Sequence, residues 1–288
     1  MRRMIVVLGI AILSFSKSNA QIKLDENLMG AVQKGVAGLT FSDADAQKLS
    51  KATVDKLDSE HIIAGPTDPY TVRLNRIFGK YTNGYGMTLN YKVYILKEVN
   101  AFATADGSVR VYSGLMDVMD DNELLVVIGH EIGHVVNKDT RDAIKAAYQK
   151  EALMQGAASQ SRTIASVTDS QLGQLGSAMI DSKHSRKQES EADLFAYDFM
   201  KKNGYDVNAV ESAFAILAKM SGGKQADFFT QMLSSHPDPL ARSENAKKKA
   251  QSDGLYKPYV RQLPVATTAK PTTKTATKTT TTKTATKK

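Results

Sequence analysis

The sequence reads as an α+β domain, mainly α with a small β-sheet, organised round a buried central helix. Leu124, Leu125, Val127, Ile128, Ile132, Val135 and Val136 surround the stretch 123–137 almost completely, a pattern that belongs in a core and not on a surface. Other stretches carry apolar residues at helical spacing, and three short runs between residues 91 and 112 are rich in aromatic and β-branched residues. With 288 residues, 42% hydrophobic and 24% charged, there is material for one sizeable core.

At the N-terminus, Arg2 and Arg3 precede an apolar run from Met4 to Phe15 and then Ser18-Asn19-Ala20, a small-x-small site before Gln21. This is the pattern of a secretory signal peptide, and the run is shorter than the roughly 20 residues of a spanning helix. The expected division is a signal peptide at 1–20, one domain at 21–265 and a tail at 266–288. The mature chain is then exported, periplasmic or extracellular, and soluble. It contains no cysteine, so disulfides, thiolate ligands and acylation are excluded. The formal charge of +8 does not point to nucleic acid. Six lysines lie in the tail, and Arg2, Arg3 and Lys17 lie in the leader, which leaves the rest close to neutral. The Thr/Lys/Ala tail reads as disordered and offers peripheral contact with membrane or cell-wall polymers.

Asp43 to Leu57 and Tyr70 to Phe78 show helical spacing, separated by the turn residues Gly65-Pro66-Thr67-Asp68-Pro69. His61 lies just before that turn and reads as a satisfied histidine. Tyr91 to Leu96 is a strand, and Ala101–Thr104 with Val109–Tyr112 form a hairpin through Ala105-Asp106-Gly107. Asn100-Ala101-Phe102-Ala103 is either an edge for an extended substrate to pair with or a structural strand alone.

The central helix carries His130, Glu131 and His134. Histidines four apart lie one turn above each other, so both imidazoles reach one metal ion, the H-E-x-x-H spacing of zinc peptidases. Glu131 sits about 100° round the helix, where its carboxylate serves as a base on a water beside the metal. The competing interpretation makes both histidines core residues bonded to backbone. Gly129 and Gly133 cost about 1 kcal/mol each against Ala, which implies that a neighbouring element or substrate approaches closely. Asp120 with Glu123 has capping-box spacing.

Asp139 to Met154 continues as helix, and Gln155 to Ser185, rich in Gly, Ala, Ser and Gln, reads as mobile, partly helical cover. The next helix opens at Arg186 and stops at Asn203-Gly204. On it Glu189 and Asp193 share a face. Two histidines need a third protein ligand, and Glu189 completes a His₂Glu set. Asp193 is placed to accept the ring N–H of a ligand histidine. Glu191 points about 200° away from Glu189, so Glu189 is preferred. Asn208–Met220, Asp227–Leu233 and Pro239–Ala250 are expected helices, the last with Lys/Arg outward. His236, before Pro237, either supports the oxyanion or braces the turn.

Together these motifs resemble the zinc endopeptidase family that includes HtpX, the CAAX prenyl endopeptidases and BepA. The matching positions, in family order, are Asn100–Ala103, Gly107, Ser113-Gly114-Leu115, Glu123-Leu124, His130–His134, Glu189–Asp193 and His236-Pro237. Residues 111–119 look most like the LoiP-like members. The resemblance implies a mostly helical gluzincin domain. One Zn2+ would be held by His130, His134 and Glu189, with Glu131 as base and Asp193 as second shell or proton donor. Asp139 stands where the family often has a further histidine, and neither a lipidation cysteine nor transmembrane helices carry over. The expected function is an exported metalloendopeptidase acting on misfolded or envelope proteins. The alternative is a chaperone or scaffold in which His236 fills the open metal position.

Overall fold

The computed structural model describes residues 41–154, 167–221 and 229–262. The readings of 1–20 as a leader and 266–288 as a tail lie outside the described residues. Helix α1 (Asp43–Glu60) opens with a capping box between Ser42 and Asp45, and α2 (Pro69–Phe78) starts on Asp68 with proline in its first turn. A two-residue ribbon, β1 (Asn83–Gly84) with β2 (Met87–Thr88), leads into β3 (Asn90–Tyr94), β4 (Ala101–Ala103) and β5 (Ser108–Tyr112).

The three longer strands form one sheet in the order β3-β5-β4. β4 and β5 are the expected hairpin, turned at Gly107 (φ 86°), where a Cβ would meet the Thr88 carbonyl oxygen at 2.3 Å. β3 runs parallel to β5, from Asn90↔Ser108 to Tyr94↔Tyr112. That leaves β4 at the edge beside the central helix.

After the short α3 (Ser113–Val118) comes that helix, α4 (Asp121–Val136), with both halves of the Asp120/Glu123 capping box formed. Its start is clamped from the far end of the chain. Tyr259 donates to Asp120, and Arg261 donates to Glu123. The glycines of α4 admit another helix, not substrate. A Cβ on Gly133 would lie 3.1 Å from Ala192 Cα and from Phe195 Cβ, both on α7 (Arg186–Lys202), which crosses here.

Lys138 (φ 68°) turns the chain into α5 (Asp139–Met154). Of the expected cover, residues 155–166 lie outside the described ones, whereas Asp169–Ile180 is helix α6, capped by Thr168 and Gln171. Leu175 and Met179 pin it to a small second core with Leu49, Leu57 and Tyr148. The helical part of that expectation is therefore a capped helix packed on a core. Helices α8 (Ala209–Ser221), α9 (Thr230–Ser235) and α10 (Pro239–Ser252) complete the described fold. Among the described residues no helix is long and apolar enough to cross a membrane.

Candidate metal centre

Helix α4 presents His130, Glu131 and His134 from within the core, at 3%, 4% and 0% exposure. Each imidazole is fixed by a carboxylate on its Nδ1. Asp193 Oδ1 lies 2.9 Å from His130 Nδ1, and Asp139 Oδ2 lies 2.8 Å from His134 Nδ1. Gln188 donates to the other oxygen of Asp139 at 2.8 Å. With each Nδ1 facing a carboxylate, the two Nε2 atoms face each other at 3.0 Å, where a metal ion would take both lone pairs in place of a proton shared between the rings.

Glu189, on α7, and His236, just past α9, bring two more donors to the same point. Glu189 oxygens lie 3.5 Å from each of the two histidine Nε2 atoms, and His236 Nδ1 lies 3.3 Å from His130 Nε2 and 3.0 Å from Glu189 Oε1. A tetrahedron of ligands about 2.0–2.1 Å from a metal has edges of about 3.3 Å. These separations, together with Glu131 Oε1 buried without a hydrogen-bond partner, fit a metal ion. All four donors are buried.

The charges agree with that use. Burial, and then the Arg242 charge, push His130 down to about 3, so it is neutral, as a ligand must be. His134 is raised to about 9, because its bonds to Asp139 and Glu189 outweigh burial; a field that would hold a proton there also holds a cation. Burial raises Glu131 above the usual carboxylate range. Glu189 is held low, since His134 and His236 outweigh its burial.

Arg242 is the largest omission from the sequence reading, which places the basic residues of α10 outward. It is 7% exposed. One nitrogen lies 2.9 Å from Glu189 Oε2 and another 2.6 Å from Asp193 Oδ1, so one guanidinium balances both carboxylates of α7. The only local signal is its place five residues after Pro237, and a lysine-rich helix hides it. His184 is also missed. Its ring stacks on His134 at 3.8 Å, and its backbone N–H donates to the Ser235 carbonyl. Four of the five histidines thus meet here, while His61 stacks on Tyr94 and bonds the Leu57 carbonyl elsewhere. Glu191 points outward and pairs with Lys187.

Beside the donors lies a narrow cleft of about 20 Å³, lined by Glu131, Thr140, Met179, His184 and His236 together with residues 100–103. Asn100 O and Thr104 N bond β5, so by strand alternation the N–H and C=O of Ala101 and Ala103 face away from the sheet. Ala101 N–H is taken by Asn100 Oδ1. Asn100 also donates to Gln231, which donates to Asp181, so a polar chain crosses from the edge strand to the end of α6.

Comparison with known proteins agrees with this arrangement. Residues 73–250 match Peptidase family M48. The chain is 36% identical to Metalloprotease LoiP of Escherichia coli over 234 residues, covering 81% of this chain and 91% of that protein. It is 37% identical to Metalloprotease YcaL of the same organism over 214 residues, 74% and 83% of the two chains. A putative beta-barrel assembly-enhancing protease of Vibrio cholerae is 28% identical over 164 residues, 54% of this chain and 33% of that protein. The chain therefore belongs to peptidase family M48 and is a metalloendopeptidase.

Proposed function

We propose that the protein is an exported zinc endopeptidase that cuts misfolded or envelope proteins. His130, His134 and Glu189 hold the metal, and Glu131 is the general base. The observation that carries this is Glu131 Oε1, a buried carboxylate oxygen without a hydrogen-bond partner, beside four metal donors and in a cleft that a strand edge also lines. A donor set of nitrogen and oxygen at tetrahedral spacing favours zinc over calcium or magnesium.

Zinc, when bound, polarises a carbonyl and makes water acidic near neutrality. The substrate main chain pairs with the outer edge of β4 through Ala101 and Ala103, which places a peptide carbonyl before Glu131. Glu131 takes a proton from the attacking water, helped by a raised pKa, and returns it to the leaving amine. Asp193 and Asp139 keep the imidazoles oriented, and Arg242 keeps Glu189 and Asp193 ionised in the core. The leader pattern at 1–20 supports export, the name of the Vibrio cholerae relative, a beta-barrel assembly-enhancing protease, supports envelope substrates, and the lysine-rich tail supplies the peripheral surface contact. Elemental analysis of the purified protein beside Glu189→Ala tests the ligand set. About one zinc per chain, lost in the variant, is expected; zinc retained by the variant removes Glu189 from the set.

A second reading has its own observation. His236 completes the tetrahedral spacing, and a metal with four protein ligands lacks the open position of a catalytic site. In that reading the protein binds misfolded chains and cleaves only when His236 leaves. Casein cleavage by His236→Ala separates the two: a rise indicates a latent site, a fall a histidine that supports the oxyanion.

A further inference from the structure

Among the described residues, three buried side-chain hydroxyls have no hydrogen-bond partner: Ser50, Thr53 and Thr140. Ser50 and Thr53 sit on α1, and neither lines the cleft. Thr140 does. It is 8% exposed, in the first turn of α5. There the left-handed turn at Lys138 separates it from α4, so it lacks the carbonyl four residues back that an interior helical threonine uses. Ala143, one turn on, lines the same wall, and Phe102, Met179 and Ile180 close the space around them. Apart from Glu131, no acid or base with a fixed charge lines this cleft.

We infer that Thr140 and Ala143 form the floor of a substrate subsite that takes a small, uncharged side chain carrying a hydrogen-bonding group, such as threonine, serine or asparagine, near the scissile bond. A buried hydroxyl without a partner is costly and is satisfied by a ligand group that both donates and accepts. A pocket built to bond a side-chain hydroxyl discriminates against the isosteric apolar side chain. The narrow space excludes large side chains, and Thr140, Ala143, Phe102, Met179 and Ile180 offer no counter-charge to a lysine or aspartate lying against them. The subsite rests on the peptidase reading, with substrate lying along β4. Thr140 is a specificity residue and takes no part in the proton transfers.

The test uses blocked pentapeptides Ac-Ala-Ala-X-Ala-Ala-NH2, with X as Thr, Val, Lys or Asp, titrated calorimetrically into zinc-loaded Glu131→Gln protein. The same titrations are made with Thr140→Val and Thr140→Ser added. The Thr peptide should bind about five- to tenfold tighter than the Val peptide, the worth of one net hydrogen bond. Thr140→Val should erase that preference and Thr140→Ser should keep it. Equal affinity for Thr and Val, a preference that survives Thr140→Val, tightest binding of the charged peptides, or no binding at all overturns the subsite. Cleavage of casein by the wild type is scored in parallel. If the wild type cuts nothing while the Thr preference holds, the peptidase reading fails and the subsite stands; if casein is cut while the preference is absent, the reverse follows.

Discussion

Among the described residues two arginines are buried almost completely, and they sit in opposite kinds of cluster. Arg110, on β5, is 2% exposed and donates to both oxygens of Asp58 on α1 and to the carbonyls of Asn90 and Val109. Asp58 also accepts from Lys92 and Tyr94, so its charge is enclosed by donors. Arg242 likewise bridges two carboxylates, through Glu189 Oε2 and Asp193 Oδ1, yet beside it Glu131 Oε1 is buried without a hydrogen-bond partner, and two imidazole nitrogens face each other. The first cluster is satisfied and ties helix α1 to the sheet. The second is complete only with a cation and a water, and unfilled hydrogen-bonding capacity is what distinguishes a site from a brace.

The largest expected effect follows from that contrast. Glu131→Gln keeps shape and burial but cannot take a proton, so casein cleavage should fall about 10²–10⁴-fold. Unfolding in urea should show unchanged or greater stability, because the variant removes a buried charge whose Oε1 makes no hydrogen bond and lies 3.5 Å from His236 Nε2. An active, zinc-loaded Glu131→Gln protein, or one that loses several kcal/mol, would place Glu131 with the braces.

At the Asp58 cluster the pattern should invert. Asp58→Ala leaves Arg110 buried without its carboxylate and should cost about 3–5 kcal/mol by denaturant titration, with zinc content unaffected. Acid should reproduce part of this. Burial works against the Asp58 charge, but Arg110, Lys92 and Tyr94 outweigh it and hold the carboxyl down to about 2. A carboxyl lowered on folding adds stability that is complete above its unfolded value and is lost as pH falls through the folded one. A contribution of about 2 kcal/mol should therefore fade between roughly pH 4 and pH 2, and Asp58→Ala should remove that part of the acid transition. A variant with the wild-type acid profile breaks the assignment.

What could be read from the sequence divides along similar lines. His130, Glu131 and His134 are legible because their relation is a helix repeat, fixed within five residues. Glu189 and Asp193 are legible because a His₂ site lacks a ligand and one later helix offers acids on one face. The Asp120/Glu123 capping box is local and forms as its spacing indicates. Arg242 and Arg110 are hidden, since a buried arginine and a surface arginine share one letter and only tertiary contact separates them. The parallel pairing of β3 with β5 is hidden too, because alternation sets faces but not neighbours. His184 reaches His134 only through the path of the chain between α6 and α7, and no spacing encodes that path.

The smallest expected effect sharpens the comparison most cheaply, because it lies on the same helix as the larger one. Lys51 donates to both oxygens of Asp55 at 2.8 Å, a distance matching the Arg110 bond to Asp58 Oδ1. The two residues of that pair are 65% and 60% exposed at their side chains. Water already solvates both charges there, and salt screens them, so i,i+4 pairs of this kind contribute only about 0.3–0.5 kcal/mol. Asp55→Ala should therefore shift the urea midpoint barely beyond error, while Asp58→Ala, one turn further along α1, shifts it by nearly ten times as much. Equal losses at the two positions would mean that α1 is held by its charges in general and not by the enclosed Asp58–Arg110 contact, and the distinction between satisfied burial and mere proximity would fail on this helix.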